Sequence, residues 1–561
     1  MSPAIFPYYT TAPCGRIRRS TLATLFLVVF LAAGLSEPVL AAPTSPSTPA
    51  TFVEHEIVLG DAERQTILTG FFFDGGFADL AVAHIDEHDN RQLRIFSYEG
   101  TTWKPRFDAT LGAAVSFVDV IEMGGRDRLI TYEHGRVNRF DPDSATEGVL
   151  AEVTTNFNPP RNDEVPHVDI TKDVNADGRD DLVVPDVDGF WVILQMSNGA
   201  FAEPVKIGPA TDMSRIYGAD GYRFDPWSQS RIHRIDYNQD GRDDLVHWSE
   251  DHFEVHLQDA RGLFDEAAQS FTTEVPFDTD NRDSLSAGDM TGRVLHALTD
   301  LSDDGIADLV VYSLDGTRIS NKRSSFEVHL GAQTPEGGIA FAPAAANVFE
   351  SDSAIQLDMD VQDFDGDGHV DLMFTTIETR FLKRTLWKEI KGAMGDDVLL
   401  ELEFYRMNGG RYSERPDATR RIALDGAPSY REPGWVPLNL VLDGATHENR
   451  PVPDRWPRAF NPTLLIGDVT GDERADLLIE HTFRALDLYA GTSESELFAD
   501  RSESVKLTVP NDEEYVWLVD LNKDGKMDVL LHDPFTLRDI HGAPMAQPGS
   551  EPHRVTILIA R

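Results

Sequence analysis

Cysteine is almost absent: the 561 residues contain one, Cys14. An internal disulfide needs two, so none can form, and stability has to come from packing and from any bound metal. Positive charge is scarce as well. Fifty Lys and Arg face 95 Asp and Glu, a formal net charge of −45. A surface of that sign repels nucleic acid and anionic membranes, so neither is an expected partner. Long apolar runs are confined to Leu22–Leu35, short of the roughly 20 residues that cross a bilayer. Arg16, Arg18 and Arg19 precede that run and Val39-Leu40-Ala41 follows it, the layout of an export signal cleaved near Ala42. Residues 1–41 therefore read as a signal peptide. The mature protein, residues 42–561, is expected to be secreted or periplasmic, with no transmembrane segment and, once Cys14 has left, no thiol chemistry. Removing the signal takes away three Arg and one Glu and leaves −47. Also missing are a Gly-x-Ser-x-Gly elbow, a His-Glu-x-x-His helix, a phosphate loop and a dinucleotide fingerprint. These absences lean the expected role away from an enzyme.

What the chain has in quantity is aspartate at fixed spacing. Six nine-residue segments share one design and each runs into an Asp-Leu or Asp-Val strand start. Position 1 is Asp173, Asp236, Asp300, Asp363, Asp468 and Asp520 in turn. Position 3 is Asn175, Asn238, Ser302, Asp365, Thr470 and Asn522; position 5 is Asp177, Asp240, Asp304, Asp367, Asp472 and Asp524. Position 9 is Asp181, Asp244, Asp308, Asp371, Asp476 and Asp528. Alternate oxygens turned inward, glycine at position 6 for the sharp turn, and a backbone carbonyl at position 7 make a donor set for a hard cation such as Ca²⁺. Position 7 is Arg179, Arg242, Ile306, His369, Arg474 and Lys526. Asp/Asn/Gly clusters also serve as solvated turns. Six copies in one register against the same flanking strands favour metal, up to six Ca²⁺ in a mainly structural role. Ser302 and Thr470 are weaker ligands than a carboxylate. Glu473, standing where glycine is usual, predicts an altered turn in the fifth copy.

The loops belong to a longer unit. An apolar strand leads in, as Ile232–Ile235; the loop follows; then come Asp181–Val184-type second strands and Phe190–Leu194-type third strands. A Phe-containing fourth strand, as at residues 200–205, closes the unit. Period-2 alternation and turn residues at each junction predict strands rather than helices. Two earlier copies keep the frame without ligands, one starting at Phe71 and one at Asp119. Position 1 then recurs at 71, 119, 173, 236, 300, 363, 468 and 520, a spacing that suits four-stranded units. The last unit lacks a fourth strand, and residues 51–58 resemble one. The fold expected is all-β: a propeller of four-stranded blades, eight in number with seven as the alternative, closed by its two ends.

The loop and its flanking strands resemble the FG-GAP/VCBS repeat family, whose best-known members are the propellers of integrin α-subunits. The resemblance covers roughly residues 50 to 561. It implies Ca²⁺ bound between the first two strands of a blade by the five loop positions named above. The family is functionally broad, so the fold does not fix an activity.

The frame breaks between 363 and 468. An insertion at about 375–400 places Leu382, Leu386, Ile390 and Met394 at helical spacing, with Lys383, Arg384, Lys388 and Lys391 elsewhere around the helix. A second, at about 424–461, is rich in Pro and Trp. Residues 376–460 carry 14 Lys/Arg against 13 Asp/Glu, a nearly neutral patch in an acidic chain. Their plain reading is a helix and loop covering a blade. Their functional reading is a protein or glycan contact, with Trp387, Trp435 and Trp456 available to stack on sugar rings. His84 and His481 share one repeat position and His532 falls one residue earlier, but side chains from separate blades are too far apart to converge. The expectation is a calcium-binding adhesion, assembly or recognition module. A calcium-dependent polysaccharide lyase or a lectin on the same scaffold is the alternative.

Overall fold

The computed structural model describes residues 52–532 and 553–561, apart from 61–64, 143–145, 158–164, 212–222, 281–290, 317–322, 351–353, 379–397, 425–462, 483–484, 494–496, 502, 508 and 510–514. Eight antiparallel four-stranded blades follow one another along the chain, and the seven-blade alternative falls. Blade 1 is Thr66–Gly70, Asp79–Ile85, Arg91–Tyr98 and Trp103–Thr110; blade 2 is Phe117–Glu122, Asp127–Glu133, Arg136–Asp141 and Thr146–Glu152. Blades 3 to 7 have their second strands at Asp181–Asp186, Asp244–Ser249, Asp308–Asp315, Asp371–Glu378 and Asp476–Thr482. Blade 8 takes Val516–Val519, Asp528–His532 and His553–Ile559 from the end of the chain and Val53–Gly60 from its beginning. That closing pair is antiparallel, with Val53 opposite Ile559 and Ile57 opposite Val555.

Burial explains why the second strands read as unbroken apolar runs. Asp181–Asp186 is buried at every position, because blades pack face to face and a second strand has a neighbour on both sides. The outer strand Val53–Gly60 instead alternates, since one of its faces meets water. The core lies between blades. Leu182, Val184 and Ile193 of blade 3 join Ile130 and Tyr132 of blade 2, and Leu530, Val555 and Ile557 of blade 8 join Leu80, Val82 and Phe96 of blade 1. The ring is thus closed by packing as well as by pairing.

Three details depart from expectation. The fourth strand of blade 3 is Val205–Ile207; Phe201 makes only a single bridge to Gln195. The second ligand-free copy is a tight four-residue turn between Glu122 and Asp127, closed by Met123 N–H to the Arg126 carbonyl at 2.9 Å. Asp119 lies inside the strand before it, buried, accepting from Ile170 N–H at 2.7 Å and paired with His167 Nε2 at 2.8 Å. Blade 2 also gains two short parallel strands at its inner edge, His167–Val168 and Arg223–Phe224. The predicted helix over 377–394, the second insertion, and Trp387, Trp435 and Trp456 lie outside the described residues. The helix that is described is one turn, Pro226–Gln229, capped by Asp225.

Candidate metal centres

Each acidic loop joins the first and second strands of its blade, so loops 1 to 6, in blades 3 to 8, share one end of the ring. Their backbones agree. Position 4 is left-handed in all six, Ala176, Gln239, Asp303, Gly366, Gly471 and Lys523 having φ between 56° and 78°. Position 6 is left-handed too, at 83° to 88° for the five glycines and 65° for Glu473. The expected distortion of the fifth turn is therefore corrected. Glu473 adopts the glycine conformation, at a cost of about 1–2 kcal/mol.

Position 1 fastens the turn. Its Oδ2 accepts from the position 6 N–H at 2.8–3.0 Å in every loop. Position 5 accepts from the position 7 N–H at 2.9–3.2 Å. Position 9 does something else. Its Oδ2 accepts from the position 2 N–H at 2.8–3.3 Å. Its Oδ1 accepts, at 2.7–2.9 Å, from a residue just beyond the third strand: Gln195, Gln258, Gly331, Met407, Gly491 and Ala560. The position 9 carboxylates are buried to 1 % exposure or less and staple the loop to the sheet.

Burial raises their pKa against those hydrogen bonds, and the other loop carboxylates raise it further: to about 7 for Asp181 and about 6 for Asp244, Asp308, Asp371 and Asp528. Asp476 is raised from the same first cause. A cation among these groups would favour the ionised forms instead.

The loops differ in what surrounds positions 3 and 5. In loop 4, oxygens of Asp363, Asp365 and Asp371 lie within 4.8 Å of one another, the one such group of three among the described residues. In loops 1, 2 and 6 the amides of Asn175, Asn238 and Asn522 donate to Asp177, Asp240 and Asp524 at 2.9–3.1 Å. The position 7 arginines of loops 1, 2 and 5 pair with the position 5 carboxylates Asp177, Asp240 and Asp472. In loop 3, Ser302 Oγ is buried without a hydrogen-bond partner. The donors are all oxygens, as Ca²⁺ takes them, and the unmatched Ser302 hydroxyl is an acceptor facing no donor. The residues fit a hard cation.

Two of the three histidines are described. His84 is the penultimate residue of the second strand of blade 1, and burial lowers its pKa. His532 is fully buried in blade 8, lowered to about 3 by burial and by His553. The side chain of His481 lies outside the description, and no described group of three metal-ligating side chains includes a histidine. Residue types carried no signal for the left-handed position 4 at Ala176, Gln239, Asp303 and Lys523, nor for the stapling role of position 9.

No protein-family model matches the chain, and no curated protein is similar to it in sequence. Solved structures do match. A lectin of Agrocybe aegerita, described as recognising non-reducing terminal N-acetylglucosamine, is 13% identical over 65% of this chain and 81% of its own, with a TM-score of 0.32. A biofilm matrix protein of V. cholerae is 8% identical over 90% of this chain and 88% of its own, with a TM-score of 0.34. At such values neither bears on function, and the propeller rests on this chain's own strand pairing.

Proposed function

We propose that this chain is an exported calcium-binding propeller of FG-GAP/VCBS type, acting as a non-enzymatic adhesion, assembly or recognition module. One observation carries the reading: six loops in six consecutive blades hold the same backbone turn with oxygen-bearing side chains at positions 1, 3, 5 and 9, and in loop 4 oxygens of Asp363, Asp365 and Asp371 lie within 4.8 Å of one another. Repetition in every blade from 3 to 8 suits a role in holding the ring, because a reaction would use one site. The ions neutralise carboxylates that would otherwise repel. At millimolar Ca²⁺, sites with Kd of about 10⁻⁴ to 10⁻³ M each add about 0.4 to 1.4 kcal/mol. The rigid ring then presents a surface to a protein or glycan.

The test has two arms. After dialysis against millimolar Ca²⁺, elemental analysis of the mature protein reads several calcium ions per chain; none bound removes the calcium part of the proposal. In the second arm the loaded protein meets acidic and neutral polysaccharides. Retention on the polymer without cleavage supports a lectin-like module, and absence of both directs the search to protein partners. Calcium-dependent unsaturated products replace the proposal with a polysaccharide lyase.

A further inference from the structure

Loops 2 to 6 touch one another in sequence around the ring, each link running from position 4 of one loop to position 6 or 7 of the next. Gln239, position 4 of loop 2, donates from Nε2 to the carbonyl of Gly305, position 6 of loop 3, at 3.2 Å. Asp303, position 4 of loop 3, is paired through Oδ2 with Nδ1 of His369, position 7 of loop 4, at 2.8 Å. Gly366, position 4 of loop 4, lies so near loop 5 that a Cβ there would sit 3.7 Å from Arg474 Cγ and 3.8 Å from the Glu473 carbonyl. Gly471, position 4 of loop 5, lies against the side chain of Lys526, position 7 of loop 6: a Cβ there would sit 2.7 Å from Lys526 Cε. Loops 5 and 6 are also joined by Met527 N–H donating to the Asp468 carbonyl at 2.7 Å.

From this repeated contact we infer that loops 2 to 6 bind Ca²⁺ cooperatively, each loop's position 4 being held by the position 6–7 segment of the next. The inference rests on the calcium reading above. Position 7 is where a carbonyl would face the ion, and position 4 lies between the ligands at 3 and 5. An ion in one loop therefore fixes the segment that its neighbour's turn leans on, and the neighbour's ligands are ordered before its own ion arrives. That is a coupling free energy between sites, reciprocal by necessity. The chain of contacts runs out at loop 6. There the position 4 residue, Lys523, lies with Nζ 3.8 Å from the ring centre of Phe71 in ligand-free blade 1.

The link between loops 3 and 4 is the one to cut, because Asp303 and His369 lend no side-chain ligand to either loop. Calcium titration of the metal-stripped full chain by calorimetry, with Ca²⁺ alone as probe, gives an isotherm steeper than independent sites allow. Asp303→Ser, His369→Gln and the double variant flatten it by the same amount, with the number of ions bound unchanged. Coupling of the usual size tightens a neighbouring site about 5- to 150-fold. A wild-type isotherm of independent sites overturns the inference while leaving the calcium reading in place, as does a steepness unmoved by all three variants. No calcium uptake overturns both.

Discussion

Blades 3 to 8 and blades 1 and 2 solve the same turn in different ways. In the six acidic loops the position 1 carboxylate gathers the turn's N–H groups. Blade 1 carries Phe71, Phe72 and Phe73 in the corresponding stretch, with Phe72 at 1 % exposure in the core, and blade 2 shortens the connection to four residues. Position 9 is aspartate in both groups. Asp79 accepts from Phe73 N–H at 2.9 Å and Ser97 Oγ at 2.5 Å, and Asp127 accepts from Phe71 N–H of the neighbouring blade at 2.7 Å. The comparison separates two roles that the nine-residue motif mixes. Aspartate at position 9 fastens the blade in both groups, whereas oxygen side chains at positions 1, 3 and 5 together occur only in the six acidic loops.

Chelation is expected to act on blades 3 to 8 and to spare blades 1 and 2. Excess EDTA is expected to remove about 2 to 8 kcal/mol over six independent sites, read as a large fall in Tm; an unchanged melt after confirmed metal removal sinks the structural role. Asp79→Ala is the counterpart in the ligand-free group. It strands two donors in the core and costs about 2 to 6 kcal/mol. That loss is the same with Ca²⁺ and with EDTA, and a loss confined to calcium-loaded protein would erase the distinction between the two groups of blades.

Acidity sharpens the contrast further. The position 9 carboxylates of loops 1 to 4 and 6 have folded pKa values of about 6 to 7, above an unfolded value near 3.8. Between those limits the folded chain holds more protons than the unfolded one. Their contribution is therefore complete below the unfolded pKa and lost as pH rises through 6 to 7. His233, His247 and His532, lowered to about 3, 4 and 3 chiefly by burial, act in the opposite sense below about pH 6.5. The acids outnumber them. In EDTA, Tm is expected to be higher at pH 5 than at pH 7.5, and in millimolar Ca²⁺ the order reverses because the ion holds the carboxylates ionised. The same order in both buffers would show that no cation engages position 9. The smallest effect is at Glu473. Replacement by Gly relieves a left-handed glutamate and gains about 0.5 to 1 kcal/mol, readable as a small rise in urea midpoint; a loss would mean that the glutamate side chain contributes to loop 5.

Much of this architecture could be read from residues alone. Eight recurring frames, the second strands after each Asp-Leu or Asp-Val, and the repair of blade 8 by residues near 51–58 all follow from apolar alternation and a fixed motif. What could not be read depends on contacts between blades. Asp119 counts as a loop position by spacing, yet it sits in a strand because His167 and Ile170 of the next segment bond its carboxylate. Glu473 reads as a fault in a glycine position, but its N–H bonds Asp468 as glycine does elsewhere. Position 4 admits Ala, Gln, Asp, Lys and Gly, so no residue preference announces its backbone or its reach to the next loop.

The ring's closure has a consequence for folding order. Glu56 and Arg554, joined across the closing strands, are 498 residues apart, whereas the contacts inside each blade are local. The entropy of bringing such distant ends together grows only with the logarithm of the separation, about 5.5 kcal/mol for this span beyond the constant term. The blades can therefore form in order along the chain. The last seam waits until both termini are present, when Val53–Gly60 supplies the outer strand that blade 8 otherwise lacks.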